Sequence, residues 1–165
     1  MSNAIVVMGV SGCGKSTLAR ALAETLGFRF VEGDDLHSPA NLAKMTAGIP
    51  LDDDDREPFL LAVADALRGG RVVAACSALK RRYRDLIRRE AGATTFVLPL
   101  AEPVIVSARL ASRARHFMPA TLLDSQFAAL EPPHPDEDAI LVDAELPCAD
   151  QVAAVIDALC RPNHK

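Results

Sequence analysis

The sequence predicts a three-layer α/β fold, a parallel sheet covered by helices on both faces. Three observations carry that prediction. Short β-branched apolar runs alternate with amphipathic segments along the chain, the first run closes directly on a glycine-rich turn, and no internal repeat or low-complexity stretch interrupts the pattern. With 165 residues, the chain is expected to form one domain, residues 1–165, given the usual size of about 100–200 residues each.

The first strand is expected over Ala4-Ile5-Val6-Val7-Met8, which is apolar at successive positions as a strand buried on both faces requires. Leu18, Ala19, Leu22, Ala23 and Leu26 then recur at three- and four-residue spacing and Gly27 follows as a stop, so a helix is predicted over about 15–26. Further strands are expected at 71–76, 94–100 and 139–142, with a weaker one at 28–32. Helical patterns separate them, at about 38–47, 55–68, 79–91, 103–112, 119–130 and 149–159. Residues 113–118 are basic without strong periodicity, and 131–138 hold three prolines and four acids, so both read as loops or mobile edges.

Half the residues are hydrophobic and 24% are charged, which excludes the composition of a disordered chain. Eighteen Lys plus Arg against twenty-two Asp plus Glu leave a net charge of -4. No overall basic field exists to hold nucleic acid or an anionic membrane, so an anionic ligand has to be caught by a local site. The apolar stretch 4–10 falls far short of the ~20 residues of a transmembrane helix and has no Lys or Arg before it. Cys13, Cys76, Cys148 and Cys160 have neither the spacing of a zinc site nor the density of a disulfide scaffold, and a reducing cytoplasm is the expected home.

Gly9-Val10-Ser11-Gly12-Cys13-Gly14-Lys15-Ser16-Thr17 satisfies the Walker A pattern in its required setting, an apolar strand before and an amphipathic helix after. The glycines let the backbone turn tightly and aim N–H groups at a phosphate, and the helix N-terminus adds partial positive charge. Lys15 supplies a full charge to the β- and γ-phosphates, and the Ser16 hydroxyl is placed to ligate Mg²⁺. The loop alone leaves the phosphate acceptor open, because it serves kinases, GTPases, ATPases and binding modules alike. No Asn-Lys-x-Asp guanine-reading motif is present, which argues against a GTPase.

The acceptor has to be read elsewhere. Gly33-Asp34-Asp35-Leu36-His37 follows the second strand, so Asp34 is expected at the carboxyl edge of the sheet, where ligands bind. A carboxylate there can orient a substrate hydroxyl or take its proton; the alternative is a turn or helix-capping acid. His37 can bind a hydroxyl or cap the next helix. In the acidic run Asp52-Asp53-Asp54-Asp55 a solvated loop is expected, with Asp55 capping the following helix, while Arg56 is free to meet an anion. Lys80 and Arg84 are four apart and are expected on one helix face as an anion clamp; an ordinary basic surface helix is the alternative. Arg109, Arg113, Arg115 and His116 surround a loop that can close on transferring phosphate and neutralise its charge, or merely steer anions.

Taken together, MGVSGCGKST, GDDLH, NLAKMTAGIPLDDDDREPF, CSALKRRYRDLIR, RLASRARHF and LLDSQFAALEPP resemble the thermoresistant-type gluconokinase family of small P-loop kinases, related to shikimate and nucleoside monophosphate kinases. The match covers roughly residues 7–133. The resemblance implies a five-stranded parallel sheet, a lid at approximately 110–130 and transfer of the ATP γ-phosphate to the 6-hydroxyl of D-gluconate. It implies that Gly12, Cys13, Gly14, Lys15, Ser16 and Thr17 hold ATP and Mg²⁺, that Arg109 lies against the adenine, and that Asp34 positions or deprotonates the acceptor hydroxyl beside His37. Arg56, Lys80 and Arg84 would receive gluconate, Arg113 would act in catalysis, and His116 would reach the substrate from the lid. A homodimer is also implied. Arg115 stands where a glycine is expected and Phe59 where tryptophan is frequent. The competing readings are a related kinase for another small sugar acid and a nucleotide-binding regulatory protein without turnover.

Overall fold

The computed structural model describes residues 3–112 and 120–161. Five parallel strands form one sheet: β1 (Ala4–Val7), β2 (Arg29–Glu32), β3 (Val72–Ala75), β4 (Thr94–Leu100) and β5 (Ile140–Asp143), in the spatial order β2-β3-β1-β4-β5. The central position of β1, paired from Ala4 to both Val72 and Thr94, explains its unbroken apolar sequence. Its successive side chains serve two different cores. Val6 and Met8 enter one with α3 (Asp53–Leu67) and α4 (Arg81–Ala91), while Ile5 and Val7 enter another with α1 (Lys15–Leu26) and α7 (Cys148–Cys160). The weak sequence signal of β2 also has a cause. It is an edge strand with no fully buried residue.

Each core is filled as the helical spacings require. Leu18, Ala19, Leu22 and Ala23 present one face of α1 to the sheet, and Phe59, Leu60, Val63 and Leu67 do the same for α3. Fully burying a side chain of this size contributes about 1.5–3 kcal/mol. A third, smaller core joins Val10 and Cys13 of the glycine-rich loop to Leu79, to Val106 of α5 (Pro103–Ala111) and to Leu123 of α6 (Ala120–Ala129). The loop is thereby tied to the helices on either side of 113–119.

Two helix starts differ from expectation, and both matter for the site. α3 begins at Asp53: Asp52 is its N-cap, and Asp55 is the third residue of a capping box, its carboxylate accepting from the Asp52 amide at 3.1 Å. α4 begins at Arg81, with Lys80 as an extended N-cap residue at φ -95, ψ 148. The remaining helix, α2 (Pro39–Thr46), is capped by the Ser38 hydroxyl, with Pro39 at its first position. Among the described residues no helix is long and apolar enough to cross a membrane.

Candidate active site

The chain order places β1 between β3 and β4, and the loop that leaves its carboxyl end therefore opens at the switch point of the sheet. The loop turns into α1 through Gly14, a helix N-cap at φ 97, a left-handed value that a side chain would strain. Lys15 follows with its side chain folded back over the loop, Nζ lying 3.5 Å from the Val10 carbonyl oxygen, and the residue is 9% exposed. Ser16 stands next in the first turn of α1, half-buried.

Cavities lie on both sides of this loop. The first, of about 300 Å³, is walled by Ser11 and Lys15 of the loop, by Asp34 and His37 after β2, by Arg56 of α3, and by Lys80 at the head of α4. Asp34 comes close because Gly33 lies against β3: a Cβ there would sit 2.1 Å from the Ala75 carbonyl oxygen, so the backbones approach as only glycine allows. The second cavity, about 220 Å³, lies behind the loop between Cys13, Gly14, Thr17 and Arg109. Arg109 donates from Nη2 to the Ala144 carbonyl at 2.6 Å and from Nη1 to the Cys13 carbonyl at 3.4 Å, so its guanidinium spans that cavity.

Four of the expected acceptor-side groups, Asp34, His37, Arg56 and Lys80, are thus brought to one cavity with Lys15 of the loop. Arg84 is not. It is fully buried, with Nε and Nη2 donating to the two carboxylate oxygens of Glu137 at 2.6 and 2.8 Å, and Nη1 donating to the Ala78 and Leu79 carbonyls at 3.2 and 3.1 Å. The expectation of a shared face failed because Lys80 precedes the helix, so the i, i+4 spacing does not apply. Arg113, Arg115 and His116 lie outside the described residues; of the expected lid at 110–130, the structure describes 110–112 and α6.

The acidic run corrects a second expectation. Asp54 is exposed as foreseen, but Asp53 ties α3 to α4: it accepts from Lys80 Nζ at 3.1 Å and from the Tyr83 hydroxyl, and pairs with Arg82 Nη1 at 3.0 Å. The Tyr83 and Lys80 hydrogen bonds hold the Asp53 carboxyl below the usual carboxylate range. Burial and the bond to Asp53 push the Tyr83 hydroxyl up to about 12. Asp55 accepts from Lys44 Nζ at 2.7 Å, chiefly that bond lowering its own pKa. His37 stacks on Phe59, with ring centroids 3.8 Å apart and an 11° tilt, so the phenylalanine at this position backs a site residue. Burial lowers the pKa of His37 against the opposing charge of Asp34, and the imidazole enters the site neutral at neutral pH.

Sequence reasoning missed three groups in this cavity: Asp53, Tyr83 and Gln126 of α6. Gln126 Oε1 accepts from the Ser11 amide at 2.7 Å and its Nε2 donates to the Ser11 hydroxyl at 3.3 Å, which anchors the loop to the helix walling the cavity. The only available signal was its place in LLDSQFAALEPP. Among the described residues no cluster of three or more His, Cys, Asp or Glu could hold a metal. The donor set that remains, one hydroxyl at the loop's end, suits an ion that keeps most of its coordination to phosphate and water. Chemically, a polyphosphate gripped by the loop would meet a pocket lined by three cations, Lys15, Arg56 and Lys80, and three carboxylates, of which Asp53 is already paired with Lys80.

A family model described as an AAA domain matches residues 5–133. The chain is 49% identical over 146 residues to a gluconokinase of Gluconobacter oxydans, covering 86% of this chain and 82% of that protein. It is 40% identical over 160 residues to the thermoresistant gluconokinase of Escherichia coli, covering 93% and 91%. The crystal structure of a gluconokinase from Sinorhizobium meliloti superposes with a TM-score of 0.89 at 45% identity, over 96% of this chain and 91% of that one.

Proposed function

The chain belongs to the gluconokinase family of P-loop kinases, and from that premise we propose that it phosphorylates D-gluconate at the 6-hydroxyl with ATP, giving 6-phospho-D-gluconate and ADP. The observation that carries the reading is the cavity shared by Lys15 and Asp34, with Arg56 and Lys80 on the same wall. Gluconate has a carboxylate at one end and a primary hydroxyl at the other. That polarity suits a pocket with cations along one side and a carboxylate beside the phosphate loop.

In this reading the glycine-rich loop and Lys15 hold the β- and γ-phosphates, and the cavity behind the loop takes the base against Arg109. Asp34 accepts the hydrogen bond of the 6-hydroxyl and takes its proton as the oxygen attacks the γ-phosphorus. His37, neutral, offers a second polar contact to the hydroxyl chain, while Arg56 and Lys80 receive the carboxylate end. Lys80 enters this role already oriented by Asp53. A magnesium ion carried in on the triphosphate, with the Ser16 hydroxyl as its protein ligand, would draw charge from the β,γ-oxygens. Arg113 and His116 take the roles the family resemblance implies, the first on transferring charge and the second on substrate.

The protein acts as one domain over 1–165 in the cytoplasm, where its four free cysteines stay reduced. It does so as a homodimer, for which Leu100 and Leu141, 48% and 53% exposed on one face of the β4 and β5 pair, offer apolar area. Light scattering at micromolar concentration checks the dimer. Release of ADP over a panel of sugar acids, with magnesium and ATP fixed, checks the activity. Gluconate is expected to turn over fastest, and another acid turned over faster, or ATP hydrolysed regardless of the acid offered, overturns the assignment.

A further inference from the structure

Behind the acceptor cavity lies a second ionic network, whose charged groups stay out of the cavity. Arg84 and Glu137 form a two-point ion pair whose side chains are 0% and 1% exposed. Glu137 is wrapped further: Arg88 Nη2 donates to its carbonyl at 2.7 Å, and the His134 amide donates to its carboxylate at 3.0 Å. Burial of charge on this scale is poor at adding stability, since desolvation offsets most of the Coulombic gain. Its effect is to fix geometry, and the geometry in question is that of the turn 77–80.

That turn carries strain. Ala78 sits at φ 39, in the left-handed region that a side chain disfavours. Three hydrogen bonds hold it there from behind: Arg84 Nη1 to the carbonyls of Ala78 and Leu79, and the Glu131 amide to the Leu79 carbonyl at 2.9 Å. From in front, the Gly9 amide of the phosphate loop donates to the Ser77 carbonyl at 3.1 Å. The same turn delivers Ser77, Leu79 and Lys80 to the cavity wall. Among the described residues, Arg84 is thus the only side chain that joins the segment 131–138, through Glu137, to the carbonyls of the strained residue and its neighbour.

We propose that Arg84 and Glu137 are positioning residues for the acceptor: the buried pair locks the strained turn 77–80 so that Lys80 meets substrate and the turn keeps its register with the phosphate loop. The proposal rests on reading this cavity as the gluconate pocket. Loosening the turn displaces Lys80 directly, whereas the loop that grips the nucleotide meets the turn through the Gly9 to Ser77 backbone bond and is also held by Gln126, so gluconate should respond much more than ATP.

The test uses the full chain and two variants. Arg84→Lys keeps a cation for Glu137 but lacks the fork that reaches both carbonyls. Arg84→Met with Glu137→Gln removes both buried charges together, so neither is left unpaired. In each, the KM for gluconate is expected to rise about tenfold or more, as small misplacement of a substrate contact does, with the KM for ATP within about twofold of wild type. A second readout needs no turnover. Tyr83 is the sole tyrosine in a chain without tryptophan and lines the cavity, so its emission reports gluconate binding directly. The gluconate-dependent change should shift to about tenfold higher concentration in both variants. Unchanged gluconate KM and binding in the folded Arg84→Lys protein overturns the proposal, as does an equal rise in both KM values. The wild type measured alongside separates the premises: a wild type indifferent to gluconate in both readouts removes the pocket assignment, and the positioning role with it. A responsive wild type whose values carry through to Arg84→Lys removes the positioning role alone, even where the double variant fails to fold.

Discussion

In the proposed reading the phosphate-binding half of the site comes from consecutive residues, Gly9 to Ser16, and rests largely on backbone conformation. The acceptor half takes Asp34 from the end of β2, Arg56 from α3, Lys80 from the head of α4 and Gln126 from α6. The first half sets one lysine, Lys15, over a glycine-rich turn; the second is a set of side chains holding one another in place, Asp53 to Lys80 and Tyr83, and Gln126 to Ser11. A backbone cradle can serve any nucleotide-dependent reaction, whereas choice among acceptors depends on the side-chain network. Damage to the two halves should therefore look different: loss of the chemical step from the loop, and loss of acceptor affinity from the network that aims Lys80, with Asp34 the exception because it handles the proton of the reacting hydroxyl.

Substitution of Lys15 by alanine should have the largest effect, since it removes the full charge on the transferring phosphate. Turnover measured as ADP release should fall about 10³-fold or more, and a variant with near-wild-type kcat would break the comparison. Asp34→Asn should come next, lowering kcat about 10²-fold with little change in the KM for ATP. A loss under about threefold would leave Asp34 only a turn acid. Asp53→Asn should leave kcat nearly intact and raise the KM for gluconate about tenfold, because Lys80 loses the partner that aims it. The same variant should lower the Tyr83 pKa from about 12, though not fully to 10.0, since burial remains. Ultraviolet titration of the lone tyrosine reads this shift, and an unmoved Tyr83 would contradict the network.

The smallest effect expected is on the pH dependence of stability. His37 has a folded pKa below its ordinary 6.5, so the unfolded chain binds that proton more readily and stability declines as pH falls below about 6.5. Glu137 is held at about 2 against an ordinary 4.5, chiefly by the Arg84 bond, so its contribution is complete above about 4.5 and is lost as pH drops from there toward 2. Denaturant melts between pH 7 and 3 should fall in both windows. The lower limb should become shallower when Glu137 is replaced by glutamine, because Asp53, Asp55 and Asp136, also held below their usual range, still titrate there, and an unchanged limb would count against the assignment.

How much of this was readable in the sequence follows the same division. β1, β3 and β4 were plain because both their faces are buried, while the edge strand β2 carried only a weak signal. The glycine-rich turn between β1 and α1 was readable because its shape is set by consecutive residues. Asp34, His37, Arg56 and Lys80 were readable as types, since each follows a strand end or an acidic run in a setting that needs a reason. Arg84 was misjudged because its role depends on where α4 begins, and a two-residue error there turned a buried strut into a supposed surface clamp. Asp53 was hidden in a run of identical residues, its partners lying 27 and 30 positions away. Gln126 was hidden more completely, with 115 residues separating it from Ser11. Contacts of that span come from the fold, and no local pattern announces them.

The central claim is that the loop's γ-phosphate faces the hydroxyl end of a polyol whose carboxylate lies among Arg56 and Lys80. Phosphorus NMR of the reaction with gluconate, ATP and magnesium tests it most directly. The account predicts a single new phosphomonoester, coupled to the protons of carbon 6, growing as ATP is consumed. An ester on any other carbon, or ATP left intact with millimolar gluconate present, would contradict it.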